Sequence, residues 1–248
     1  MLSNQIGHSI DNISVKELKE AVFNLVNQKK YSRSAQKQLI GALKLYYSEI
    51  HGIDLQIDFL LPHKSSFVLP EVLSKEEVKR ILDVPMNIKH KAMITLLYSA
   101  GLRIGEVINL KINDIDSDRM QIFIKGGKGV KDRYVPLSKK QLSLLRIYYL
   151  EHKPKSLLFE GQNSISKYSN SSANKFIKRY AKRAGIKKKV SSHIFRHSFA
   201  THLLEDGTDV RIIQKLLGHN SIKTTMIYTH VANDHLISIK SPLDSLDL

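Results

Sequence analysis

The sequence predicts a mainly α protein with one small antiparallel β-sheet, divided into two domains. Three observations carry this expectation. Apolar residues recur at helical spacing along most of the 248-residue chain. One region alternates as strands do, with 121–124 and 133–137 flanking the turn Gly126-Gly127-Lys128-Gly129. Between Pro62 and Pro70 the periodicity stops, and two prolines with a polar patch around Ser66 mark a linker.

Taken in order, a helix over 15–28 places Leu18, Val22, Leu25 and Val26 on one face, with Ser14 as its N-cap. A second helix over 34–49 repeats the pattern with Leu39, Ile40, Leu43 and Tyr46. Domain boundaries are expected at 1–62 for the helical N-terminal domain, 63–73 for the linker and 74–248 for the larger domain. Ser74 followed by Glu77 has capping-box spacing and starts a helix to about Leu82. Another helix covers 88–99 and stops near Gly101. After the hairpin, helices are expected over 139–151, 172–184, 194–205, 209–217 and 221–228, and Pro242 argues against helix in the tail.

Composition narrows the function classes. Lys and Arg total 39 against 23 Asp and Glu, a formal charge of +16, and such an excess draws polyanions, nucleic acid above all. With no cysteine, disulfides, thiolate metal sites and cysteine nucleophiles are excluded. No apolar run is long enough to span a bilayer and 1–11 lacks a signal core, so a cytoplasmic, nucleoid-associated protein is expected.

The stretch 193–230 concentrates chemistry: His193-Ile-Phe-Arg196-His197, then Leu217-Gly218-His219, then Tyr228-Thr-His230. His193 and Arg196, three apart, share a helical face. Gly207 and Gly218 can each end a helix in the left-handed conformation, and Gly218 then delivers His219 from a helix terminus. Upstream lie Arg103, in Gly101-Leu-Arg103-Ile-Gly-Glu106, and Lys128 in the hairpin turn. Guanidinium forks match phosphate oxygens and keep their charge, so Arg103 and Arg196 suit a phosphodiester that gains charge in its transition state. A tyrosine hydroxyl, with a pKa of about 10, can attack phosphorus if a neighbour takes its proton. A lysine at a turn tip can protonate the leaving oxygen. Lys125 and Lys131 compete with Lys128 for that role, and the flanking glycines favour Lys128. His193 and His197 are four apart, but Ile194 stands where a metalloprotease glutamate would follow the first histidine, so neither metal nor other cofactor is expected. His197 and His202 read as packed or hydrogen-bonded structural histidines.

These boxes closely resemble the tyrosine recombinase (phage integrase) family. The matching residues are Ala-Gly101-Leu-Arg103-Ile-Gly-Glu106, the hairpin Lys125-Gly-Gly-Lys128 through Pro136-Leu, the run from His193 to Leu-Leu, Leu-Leu-Gly218-His219 and Thr-Thr-Met-Ile-Tyr228-Thr-His. The resemblance implies a helical core-binding domain followed by a catalytic domain. It implies a site-specific recombinase in which Tyr228 is the nucleophile, leaving a 3′-phosphotyrosine and a free 5′-hydroxyl without metal or ATP. Arg103 and Arg196 would hold the nonbridging oxygens and His219 would donate to the same phosphate. His193 would relay the tyrosine proton, Lys128 would be the general acid, and Glu106 would support the site from behind. The partner would be double-stranded DNA with paired inverted half-sites. A homotetramer would form on it, pass through a Holliday junction and exchange the C-terminal segment 233–248.

Two other readings address the same residues. A non-catalytic helix-turn-helix protein explains the charge and the helices around Gly218, but leaves Arg103, Lys128 and the His193/Arg196 pair without purpose. A type IB topoisomerase shares the tyrosine chemistry, whereas the two-domain layout without large insertions favours recombination. The chain departs from the family at its start. Two helices precede Pro62 where family members carry about four, so the N-terminal domain is expected to be a minimal or shortened one.

Overall fold

The computed structural model describes residues 13–29, 32–62, 69–84, 86–127, 131–161 and 167–231. The chain forms two compact units, Met1–Val68 and Leu69–Leu248. Lys128, the C-terminal segment 233–248 and most of the expected linker lie outside the described residues.

In the first unit, α1 (Val15–Lys29) and α2 (Arg33–His51) are followed by a 3-10 turn, Asp58–Leu60. Ser32 caps α2 by accepting from the Ala35 N–H at 3.2 Å, and Gly52 closes it in the left-handed region. Leu18 and Val22 of α1, Ile40, Leu43 and Tyr47 of α2, and Leu55, Ile57 and Leu60 beyond it share one buried cluster. Leu18, Val22, Ile40 and Leu43 fill this core as their spacing predicts, whereas Tyr47 takes the place expected of Tyr46, which is exposed.

The second unit holds α3 (Lys75–Asp83), α4 (Ile88–Ser99) and α5 (Ile104–Asn109). Next come β1 (Ile115–Asp116), β2 (Gln121–Ile124) and β3 (Arg133–Pro136). Then follow α6 (Lys139–His152), α7 (Asn170–Arg183), α8 (Ser192–Glu205), α9 (Val210–Leu217) and α10 (Ile222–Met226). A 3-10 turn, Ile227–His230, carries Tyr228. The strands pair antiparallel in the order β1-β2-β3, with Ile122 opposite Val135. The mainly α fold with a small antiparallel sheet is therefore the one the sequence predicts. The Ser74–Glu77 capping box forms on both sides: Ser74 Oγ accepts from the Glu77 N–H at 3.2 Å, and Glu77 accepts from the Ser74 N–H at 2.9 Å. Short α5 and two-residue β1 escaped the sequence reading because neither is long enough to show a period. The expected helix over 221–228 splits into α10 and the 3-10 turn.

Helix α4 buries Ala92, Met93, Ile94, Leu96 and Leu97, nearly its whole circumference, and packs against α6 and α8. Helix α8 is equally embedded: Ile194, Phe195, Phe199 and Ala200 are buried, with Arg196, Ser198, Thr201 and His202 among them. Polar groups so deeply buried must be paired. Ser198 Oγ donates to the Ile194 carbonyl at 2.7 Å and accepts from the Leu73 N–H at 2.9 Å, tying the start of this unit to α8. No described helix is long and apolar enough to cross a membrane.

Candidate active site

Four corners of the fold converge on one cleft. The first is the α4–α5 turn. Gly101 takes φ +61°, and a Cβ there would collide with the Phe199 ring, so only glycine gives this corner. The turn sets Arg103 at the start of α5. Glu106 accepts from the Arg103 N–H at 2.8 Å and from its Nη1 at 3.0 Å. The second corner is strand β3, where the inward positions are Arg133 and Val135. Arg133 presents a fork to Glu106, Nη1 to Oε1 at 3.0 Å and Nη2 to Oε2 at 2.8 Å, while its Nε donates to the Leu216 carbonyl at 2.7 Å.

The third corner is α8. Arg196 is 3% exposed and donates to the carbonyls of Gly101 at 2.7 Å and Leu217 at 2.6 Å. It thus reaches both the α4–α5 turn and the end of α9. The fourth corner is the C-terminal run. Gly218 ends α9 at φ +63°, with the Arg133 side chain packed where a Cβ would project. His219 follows, its Nδ1 3.0 Å from the buried Thr225 hydroxyl. Tyr228 is 1% exposed, packed with Phe199, Ala200, Ile213 and Leu217, and its hydroxyl lies 3.0 Å from His197 Nδ1.

Glu106 stands among three arginines, with Arg196 Nη1 3.9 Å from its Oε2. Burial opposes its ionisation, but the Arg133 fork, the Arg103 N–H and both arginine charges outweigh that and hold the carboxyl below its usual range. One carboxylate against Arg103, Arg133 and Arg196 leaves the corner short of negative charge. Burial, and then the charge of Arg103, lowers Arg196 to about 10, so it stays protonated at neutral pH. His219 falls to about 4 through burial and the charges of Arg196, Arg103 and Arg133, which makes it a neutral hydrogen-bonding ring. Burial raises the Tyr228 hydroxyl, and Arg196 and Arg103 pull it part of the way back. A cleft of about 610 Å³ opens beside these groups, lined by Arg103, Asn109, Lys125, Gly127 and His193 among others. Such an arrangement suits an anion with a tetrahedral centre: donors converge on it, and a hydroxyl waits beside them.

Of the residues singled out in the sequence, Arg103, Arg196, His219 and Tyr228 come together here, and exposed His193 faces the adjoining cleft. Lys128 lies outside the described residues. The ring that meets the Tyr228 hydroxyl is that of His197, whose centroid lies 6.5 Å from that of His193. Arg133 and Thr225 went unnoticed in the sequence. Arg133 had a readable signal, because it shares the inward side of an alternating strand with Val135 and Leu137, and a charge there demands a buried partner. Thr225 had none.

The phage integrase family model matches residues 71–235. The chain belongs to the phage integrase family. Tyrosine recombinase XerA of Thermococcus kodakarensis is 41% identical over 211 residues, covering 83% of this chain and 74% of that protein. Tyrosine recombinase XerD of Neisseria meningitidis is 36% identical over 218 residues, covering 81% and 74%. Among solved structures, XerH site-specific recombinase bound to palindromic difH substrate superposes with a TM-score of 0.77 at 28% identity, covering 92% of this chain and 72% of that one. The chain is accordingly a tyrosine site-specific recombinase, and the helix-turn-helix and topoisomerase readings fall away.

Proposed function

We propose that this recombinase cleaves duplex DNA by attack of Tyr228 on the scissile phosphate, leaving a 3′-phosphotyrosine and a free 5′-hydroxyl, with neither metal nor ATP. The observation that carries this reading is the placing of the Tyr228 hydroxyl under the charges of Arg196 and Arg103. Arg103 and Arg196 take the nonbridging oxygens, where transition-state charge gathers. Arg103 is free to do so because its side chain is 36% exposed, and Arg133 shares the task of satisfying Glu106. His219 donates from Nε2, its Nδ1 being engaged by Thr225. His193 relays the tyrosine proton, and Lys128 protonates the 5′-oxygen. The covalent ester conserves the bond energy, so religation to a new 5′-hydroxyl needs no external source.

In this reading 1–62 is the helical core-binding domain, 63–73 the linker and 74–248 the catalytic domain. Four protomers assemble on paired inverted half-sites, pass through a Holliday junction and exchange segment 233–248, working at the nucleoid in the cytoplasm. The relatives named XerA and XerD, and a neighbour bound to a palindromic substrate, support DNA of that kind as the partner. The test is to incubate the protein with fragmented host DNA in EDTA, denature with SDS and sequence the DNA that stays attached. Wild type is expected to retain DNA and Tyr228→Phe to retain none. Retention by the Phe variant, or retention that requires added metal, would overturn the reading.

A further inference from the structure

We propose that Asn174 of α7 is a positioning residue for cleavage: its carboxamide sets the first turn of α8 and so holds His193 at the cleft. The proposal rests on the reading in which His193 relays the tyrosine proton.

Helix α8 starts without a side-chain cap of its own. Ser191, at its N-cap, makes no side-chain cap hydrogen bond, and Ser192, the first helical residue, is only 3% exposed. The N–H of a residue so deeply placed needs a partner. It finds one on another helix, donating to Asn174 Oδ1 at 3.1 Å. The far end of the same amide is also used, since Asn174 Nδ2 donates to the Asn170 carbonyl at 3.0 Å. Turning the amide over would set N–H against N–H and oxygen against oxygen, so the two bonds together select one orientation.

The platform behind Asn174 is well anchored. Ala173, Phe176, Ile177 and Tyr180 of α7 are buried. His90 of α4 stacks on Phe176 with ring centroids 4.0 Å apart, and its Nδ1 lies 3.1 Å from the Tyr180 hydroxyl. Farther along α8, Arg196 is held by the Gly101 and Leu217 carbonyls, and Ser198 by the Leu73 N–H. Those anchors act downstream of His193. His193 follows Ser192 directly, and its exposed side chain lines the cleft with Arg103. Loss of the Asn174 bond therefore loosens the first turn, and His193 with it, while Arg196 keeps its place.

The test is single-turnover cleavage at saturating DNA, on a nicked duplex carrying the sequence recovered by covalent trapping. Rates are read at a temperature where circular dichroism shows every variant folded. Asn174→Ala is expected to slow cleavage about 10–10²-fold, the scale on which displacing a reacting group acts, with DNA affinity unchanged. Asn174→Asp keeps an acceptor oxygen for the Ser192 N–H and should recover most of that loss. Two double-variant cycles trace the path. Ser192→Pro deletes the donor at a helix position that proline tolerates, after a Ser191 that is already extended. Asn174→Ala should cost nothing further in that background, nor in His193→Ala. A wild-type rate in Asn174→Ala, no recovery with aspartate, or the full loss in either background would overturn the proposal. So would weakened DNA binding with normal cleavage at saturation, which would make Asn174 a DNA contact. His193→Ala cleaving at the wild-type rate fails the reading of His193 itself, and the proposal with it. A slow His193→Ala beside a wild-type rate in Asn174→Ala fails the proposal alone.

Discussion

Arg133 shows how one side chain can hold a site together without facing the substrate. Its fork takes both oxygens of Glu106 while its Nε holds the Leu216 carbonyl, so strand β3, the first arginine turn and the end of α9 share one guanidinium. Both partners are well shielded, the Arg133 side chain 8% and the Glu106 side chain 15% exposed. Removing one member of a buried pair strands the other, at a cost of about 3–5 kcal/mol. Glu106 keeps Arg103 when Arg133 is removed, so Arg133→Ala is expected to lose less than that, yet measurably, in urea unfolding. It should also slow cleavage, because an under-satisfied Glu106 competes with the phosphate for Arg103 and Arg196. Arg133→Ala combined with Glu106→Gln should recover part of both losses, since the neutral amide no longer attracts the arginines. A double variant no better than the single one would place the effect in packing instead. At this scale the sequence was legible where a residue type has few uses. Arg103, Arg196, His219 and Tyr228 were recognisable because their order and glycine neighbours suit one chemistry. The contact of His197 with Tyr228 was not legible, because one sequence cannot tell which of two histidines, a helical turn apart, faces a tyrosine 31 residues later.

At the scale of elements, helices with a strong apolar stripe were legible, and so was the hairpin. Helix α5 was not. Its six residues pack against neighbours that only the tertiary fold supplies, and its position is set by the left-handed Gly101 before it. That corner is more than a connection, since the Gly101 carbonyl accepts from Arg196 and the turn launches Arg103. Gly101→Ala combines a left-handed alanine, costing about 1–2 kcal/mol, with a clash against Phe199 that adds about 1–3 kcal/mol of overpacking. The variant should melt at a lower temperature and cleave more slowly than its loss of stability explains, because both arginines shift with the turn. Gly105→Ala is the control: a Cβ there meets no atom within 4 Å, so its melting temperature should stay close to wild type. Equal effects at the two glycines would mean that the corner is not what positions the arginines.

For the whole molecule, the excess of 39 basic over 23 acidic residues has to be reconciled with an active site that uses only a few of those charges. Among the described residues the remainder lie largely on exposed faces. Lys175, Lys178, Arg179, Lys182 and Arg183 punctuate α7, and Lys187, Lys188 and Lys189 follow it directly on the way to Ser192 and α8. Lys188 is partly committed, donating to the Val72 carbonyl at 2.7 Å and pairing with Glu77 at 2.6 Å, so the run serves the fold as well as the surface. Exposed like charges repel one another in the free protein and add little to its stability. Their use appears when a polyanion binds, because each phosphate neutralised frees condensed counterions. If this surface tracks the duplex through about 6–10 phosphate contacts, affinity should fall about 10³–10⁵-fold between 50 and 200 mM salt. Anisotropy titrations with a labelled duplex would read this as a straight line of log affinity against log salt. Charge-reversing Lys178 and Lys182 should flatten that line, and should do so equally for cognate and unrelated DNA, since phosphate contacts carry no sequence information. A slope unchanged by those substitutions would move the DNA path off α7, and a flat line in the wild type would mean that the basic surface serves something other than nucleic acid.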